Sequence, residues 1–538
     1  MNTPNILTRR SFLSRSSALG LGTALATLTD IPFVMQRALA EGNIGKPGAN
    51  GRVKKILFLF LRGANDGLNA VIPYGDSAYS TTTRPTLYVP PDPGAAWQNS
   101  GPAYFPTSGA NVGTFARADG TPLTGLALGN GFAGLHPSLK FLAPVYNAGD
   151  LAILHRVGYP RQSRSHFDSQ DYWETASPRD SSVKDGFLYR AMVESGLAST
   201  NALTGVSFQS SLPLVLRGSK AAMTNLSDTD RYNLLGVPNS AAGNAKADLF
   251  LNAANRTIAP DRKSRDLLEL QYQNLSKTLQ TFADINFNQQ ILDNENTDGD
   301  TPYNLFPTSN ATNGGYAARG NNAAKYVVPT SSYDYFEQLR AAALVLNKTD
   351  AIVAGTQIDG WDTHSNQGGP TGSHANLLRR VGWSIYALRK YFLQNPDQCR
   401  WDDLIVVTLS EFGRTTIEND DNGTDHAEAS VMLVAGGGVK GFDSASKRPG
   451  VFGCSPSDPV PWQTGQTGSM MQVESRYLKR AIDYRSVLGK VIRDHLGATP
   501  DQLNRIIPGY AKSSEALKTG GTQTADGTRV QGEPDLLV

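Results

Sequence analysis

Apolar residues in this chain gather into short continuous runs separated by long polar stretches. Val53 to Leu61 is the first such run, with Lys54 and Lys55 near its start, and it predicts a buried central strand. It breaks at Arg62-Gly63-Ala64-Asn65-Asp66-Gly67, a turn signal. Residues 74–133 are rich in Thr, Pro and Gly and read as a long excursion. Leu139, Leu142 and Tyr146 are spaced for a helix over Ser138 to Tyr146, and Leu151 to Val157 follows as a strand. A helix is expected over Phe167 to Ala176. Residues 236–330 are polar and read as loop around one amphipathic helix, about Ser264 to Phe282, with Leu267, Leu268, Leu275, Leu279 and Phe282 on one side.

The second half returns to alternation. Helices are expected over Tyr333 to Leu346, Leu377 to Phe392 and Asp483 to Leu496, and strands over Ala351 to Ile358, Leu404 to Leu409 and Val431 to Ala435. Strands alternating with helices of this length predict an α/β fold, a mostly parallel sheet with helices on both faces. The last stretch, 512–538, is polar and reads as a flexible tail.

Thr8-Arg9-Arg10-Ser11-Phe12-Leu13, the weakly apolar stretch Ala18 to Val34 and Ala38-Leu39-Ala40 have the order of a twin-arginine signal peptide. Residues 1–40 are therefore set aside, leaving a domain over 41–511 with the insertion around 236–330; the expected address is periplasmic or secreted, and the export machinery is an expected partner. Removing Arg9, Arg10, Arg15, Arg37 and Asp30 from 50 basic and 48 acidic residues leaves 46 and 47. Such balance argues against a nucleic-acid partner. No uncharged apolar run reaches the ~18 residues of a membrane span. Cys399 and Cys454 are open to pairing in an oxidising compartment, or to remaining separate thiols.

Candidate chemistry sits at the ends of the predicted strands. Asn65-Asp66, Arg164-Ser165-His166, Asp362-Thr363-His364, Glu411 and Asp425-His426 each lie just beyond or before a strand or open a helix. Carboxylates and imidazoles are ligands for divalent metals, and loops at the carboxyl ends of strands converge on one edge of such a sheet. Asp66, Asp362, His364, Glu411 and His426 are the candidate ligands. Ser165 is the candidate nucleophile, with Ser163 its rival and helix capping its simpler role; Arg164 is a candidate to hold a substrate oxygen. Asn65, His166, Arg414 and Asp425 are expected to line the site. His136, His155, His374 and His495 are set aside, His155 as a core histidine and His495 as a helix-end one.

These motifs resemble a large exported bacterial family known only as domain of unknown function fifteen-oh-one. The matching stretches include residues 61–76, 135–160, 163–176, 360–367, 406–415, 423–441 and 483–492, nearly the whole mature chain. The resemblance implies an alkaline-phosphatase-like fold, in a superfamily that includes sulfatases. It implies a metal-dependent hydrolase-like protein acting on phosphate or sulfate esters, with one or two ions of zinc, manganese or calcium and a small anionic ester as substrate. It also implies a partner from a neighbouring exported family. Two departures stand out: Phe412 occupies a position where two-metal relatives have His, and Asp362 and His364 are two residues apart where four is usual. They keep open a second reading, a non-catalytic binding or assembly protein on the same fold with a degenerate metal site.

Overall fold

The computed structural model describes residues 43–48, 50–91, 124–199, 203–221, 223–229, 278, 281–298, 301–312, 328–455, 458, 470–471, 476–511 and 514–538. The expected signal peptide, the cleavage point after Ala40 and most of the helix expected over Ser264 to Phe282 lie outside these residues.

The architecture is α/β, built on a nine-stranded sheet. Its strands are β1 (Lys55–Arg62), β2 (Leu151–Gly158), β3 (Gly205–Phe208), β4 (Thr224–Leu226), β5 (Val353–Asp359), β6 (Leu404–Ser410), β7 (Ser430–Ala435), β8 (Val451–Phe452) and β9 (Ile482–Asp483). The order is β8-β2-β7-β6-β1-β5-β3-β4, with β9 also paired to β2. β7 runs antiparallel to both its neighbours, and the other pairings are parallel.

β1 lies at the centre and is buried on both faces, which explains its unbroken apolar run. Successive side chains point to opposite faces. Leu57, Leu59 and Leu61 enter one core and Ile56, Phe58 and Phe60 the other. Beside Phe58 the parallel partner is Gly355, where a Cβ would fall 2.5 Å from the Phe58 ring, so the neighbouring strand yields its side chain to the aromatic. Burying such a ring contributes about 1.5–3 kcal/mol.

Helices cover both faces. Helix α1 (His166–Thr175) follows β2, and α2 (Phe187–Glu194) packs with Phe187, Leu188, Ala191 and Met192 in the Phe58 core. Helices α3 (Tyr333–Lys348) and α4 (Ser373–Gln394) fill the Leu59 core, while α5 (Tyr484–Lys490) and α6 (Pro500–Ile506) return to the Phe58 side. Among the described residues no helix is long and apolar enough to cross a membrane. Cys399 and Cys454 are separate, buried thiols.

One expectation is corrected. Residues 514–538 are no loose tail: Gly521–Thr522 and Arg529–Val530 pair, Val530 and Leu536 are buried, and Lys440 N–H donates to the Leu536 carbonyl at 2.9 Å. The polar composition hid this because only every few residues supplies an apolar anchor. The described part of the 236–330 insertion contributes Phe282, Phe287, Tyr303, Leu305 and Phe306 to the core on the α4 side.

Candidate metal centre

Strand register places the candidate loops on one edge. Leu61 lies beside Ser410 and Arg62 beside Asp359, so the loops after β1, β5 and β6 leave the sheet together. β7 starts at Ser430 opposite Val157, so the segment before β7 and the one after β2 meet at the same edge. The loops interlock closely. Gly63 has φ 117° and Ala64 φ 68°, and a Cβ on Gly63 would fall 2.5 Å from the Asp362 amide nitrogen. Only glycine adopts the first of these without strain while letting another backbone approach so near.

Three imidazoles converge there. His426 Nε2 is 3.0 Å from His166 Nε2 and 2.9 Å from His364 Nε2. Asp362 joins them: its Oδ1 is 3.1 Å from both His364 Nε2 and His426 Nε2, and its Oδ2 is 3.4 Å from His166 Nε2. The far nitrogen of each ring has an acceptor. His166 Nδ1 meets Glu411 Oε1 at 2.9 Å, His364 Nδ1 meets Asp425 Oδ1 at 3.3 Å, and His426 Nδ1 meets the Arg164 carbonyl at 2.8 Å.

A carbonyl or ionised carboxylate only accepts, so each Nδ1 carries a hydrogen, and a ring in its neutral form turns a bare Nε2 lone pair inward. Lone pairs 3 Å apart repel unless a cation lies among them. A divalent ion could be held by His166, His426 and the Asp362 carboxylate together. Metal–nitrogen bonds of ~2.0–2.1 Å in a tetrahedral set put neighbouring ligand atoms roughly 3.3 Å apart, near the spacings found. His166, Asp362 and His426 form a group whose ligand atoms all lie within 4.8 Å of one another, and His364 adjoins it. An acceptor on the outer nitrogen is also what metal-bound histidines need to fix tautomer and ring orientation.

Burial pushes Asp362 upward, but the hydrogen bond and charge of Arg414 outweigh it and hold the carboxyl at about 2. Glu411 is fully buried; burial raises it, while hydrogen bonds from His166, Gln170 and the Gly63 amide bring it below its usual value. His166 is raised, chiefly by its hydrogen bond to Glu411. His426 is lowered, first by burial. The side chains of Asp362 and His364 are 46% and 44% exposed, so the cluster opens to solvent on one side. Phe412 packs against the rings of His166 and His426, at centroid distances of 4.9 and 4.8 Å.

The remaining candidates divide. Asp66, expected as a ligand, is occupied elsewhere. Its carboxylate takes Arg84 at 2.6 Å and Gln367 at 2.7 Å and caps the helical turn Gly67–Ala70 through the Leu68 and Asn69 amides. Four donors on one buried carboxylate leave it outside the imidazole group. Glu411 holds His166 from behind rather than joining the inward-facing set. Ser165 caps α1, accepting from the Asp168 amide at 3.4 Å. Arg164 serves through its carbonyl; its guanidinium stacks on Tyr477 and pairs with Glu428. Asn65 is buried and accepts from His374 Nε2 at 3.0 Å. Asp425 links His364 to Arg476, and Arg414 reaches Asp362. No pattern in the chain pointed to Arg84, which lies in the polar excursion, or to Arg476. Gln170 had a usable signal, one helical turn beyond His166.

The chain belongs to the family described as protein of unknown function (DUF1501), whose model matches residues 53–460. No curated protein and no solved structure matches it.

Proposed function

We propose that this DUF1501 chain is an exported, metal-dependent hydrolase of small anionic esters, phosphate or sulfate, built around a single ion. The observation that carries the reading is the convergence of His166, His426 and the Asp362 carboxylate, with His364 beside them, at a solvent-open sheet edge. His166, His364, His426 and Asp362 would hold the ion. A divalent cation there would polarise an ester oxygen and make a water or hydroxyl nucleophilic near neutral pH. Zinc suits the nitrogen-rich donor set best, with manganese next and calcium least.

The chain's own residues supply the rest. Glu411, Asp425 and the Arg164 carbonyl fix the three rings. The amino terminus of α1 opens beside His166 and favours an anion, and the partly exposed Arg164 and Arg476 add positive charge at the rim. Ser165 immediately precedes a ligand, and its hydroxyl donates to no side chain among the described residues, so it is the protein nucleophile to test. The twin-arginine motif supports export to the periplasm; replacing Arg9 and Arg10 by Lys should leave precursor in the cytoplasm.

The Asp66–Arg84 pair favours one second reading, because it removes a carboxylate that a second ion would need. On that reading the protein binds metal without turnover. Protein loaded in turn with zinc, manganese and calcium, assayed on aryl phosphates and aryl sulfates, separates the two. Hydrolysis that disappears in His426→Ala supports the hydrolase. Stoichiometric metal with no turnover of either ester class supports the binding protein.

A further inference from the structure

Arg414 is buried, and its guanidinium bonds to three other loops of the site. Nε donates to the Ala64 carbonyl at 2.9 Å and Nη1 to the Thr424 carbonyl at 3.0 Å. Nη2 donates to the Trp361 carbonyl at 3.1 Å, to the Gly63 carbonyl and to Asp362 Oδ1. Its backbone forms an isolated bridge with that of His426. One side chain therefore ties the loops after β1 and β5 and the segment before β7 to its own loop after β6. Of the inward-facing groups, Asp362 is bonded to it directly, and His426 lies opposite it in a bridge closed by the Thr415–Asp425 and Ala427–Gly413 backbone hydrogen bonds.

We infer that Arg414 is a positioning residue for the metal centre: it fixes the Asp362 carboxylate at the angle the three imidazoles require. The inference rests on the metal reading above. Planar geometry is what makes an arginine fit here. Several fixed N–H vectors reach carbonyls in different directions, whereas an ammonium offers one point of charge. Asp362 Oδ1 lies at the same time within 3.1 Å of two imidazole nitrogens, so a small rotation of this carboxylate would open the group on that side. Phe412 and Gly413 separate Arg414 from Glu411, so one short loop carries the residue that orients His166 and the residue that orients Asp362.

The test is a double-mutant cycle with cobalt(II) as the probe, read by affinity and by the visible spectrum of the bound ion. Arg414→Lys should weaken cobalt binding about tenfold, the size of effect expected when a metal ligand loses its supporting partner. The same change in an Asp362→Asn background should cost less than about twofold, since coupled residues are not additive. The spectrum of Arg414→Lys should shift in the otherwise wild-type chain, with the metal-free melting temperature measured alongside to show that the variant is folded. Equal losses in the two backgrounds, or a folded Arg414→Lys with unchanged affinity and spectrum, would make Arg414 a structural tie only and overturn the inference. Failure of the wild-type protein to bind cobalt would instead remove the metal reading itself, and the positioning role with it. Should Arg414→Lys not fold, a crystal structure of the cobalt-loaded wild type decides: Arg414 bonded to a cobalt-ligating Asp362 supports the role, and Arg414 turned away from it overturns it.

Discussion

The seven histidines of this chain fall into two regions that use the same side chain in opposite ways. His136, His155, His374 and His495 are buried in the body of the fold. Three of them place Nε2 against a backbone carbonyl, of Gly369, Val71 and Lys55, and His374 places it against Asn65. Burial drives them down, to about 3 for His136 and His155 and about 4 for His374 and His495, so they stay neutral. His166, His364 and His426 stand at the open sheet edge, anchored by Nδ1, with Nε2 turned toward one another. In the core the ring satisfies a polar group that folding has buried. At the edge, folding brings together metal-ligating groups turned toward one another, and His166, Asp362 and His426 could hold an ion among them.

Substitution should separate the regions most strongly. His426→Ala is expected to weaken metal binding at least about 100-fold, beyond what loss of a supporting partner alone causes, with little change in the melting temperature of metal-free protein. His374→Ala should do the reverse. It leaves the buried Asn65 without its donor and opens a cavity, for about 2–4 kcal/mol in a denaturant titration. Metal bound per folded chain should be unchanged. If both variants behave alike, the division between edge and core is wrong.

Acid should sharpen the contrast through its sign. For a core histidine the unfolded chain takes up a proton near pH 6.5 that the folded chain refuses until about pH 3–4. Its contribution to stability is therefore present above pH 6.5 and lost as pH falls through that window. Replacing His155 by Gln should flatten the acid limb of the stability curve. His166 is raised by Glu411, so in metal-free protein its contribution is present below the unfolded value and lost as pH rises through the folded one. His166→Gln should lower stability on the acid side. Thermal melts from pH 4 to 8, with chelator present, check both signs.

Smaller effects come from the backbone and the cap. Gly63→Ala should displace Asp362 and weaken metal binding while costing about 1–3 kcal/mol, because the added Cβ meets the Asp362 amide and the φ is left-handed. Ser165→Ala should cost about 1 kcal/mol as a lost helix cap, leaving metal bound. An unchanged rate of turnover in this variant rules Ser165 out as nucleophile.

The long apolar runs were legible because a strand buried on both faces permits little else. Lys55–Arg62, Leu151–Gly158 and Leu404–Ser410 lie within a residue or two of where the pattern put them. The pattern missed Gly205–Phe208 and Thr224–Leu226, which are too short to show a period, and it could not foresee that β7 runs against its neighbours. At the edge, the sequence indicated that carboxylates and histidines would gather beside strand ends. It did not indicate which carboxylates would face inward. That depends on Arg84, an arginine in a loop without periodicity, which takes Asp66 out of the group, and on Arg414, which holds Asp362 in it.

The central claim is that the edge histidines and Asp362 hold one ion. Purified protein, dialysed against trace divalent metals and measured by elemental analysis beside His426→Ala and His374→Ala, tests it most directly. The account predicts close to one ion per chain in the wild type and in folded His374→Ala, and almost none in His426→Ala. A wild type that carries no metal, or a His426→Ala variant that keeps its full complement, would contradict it.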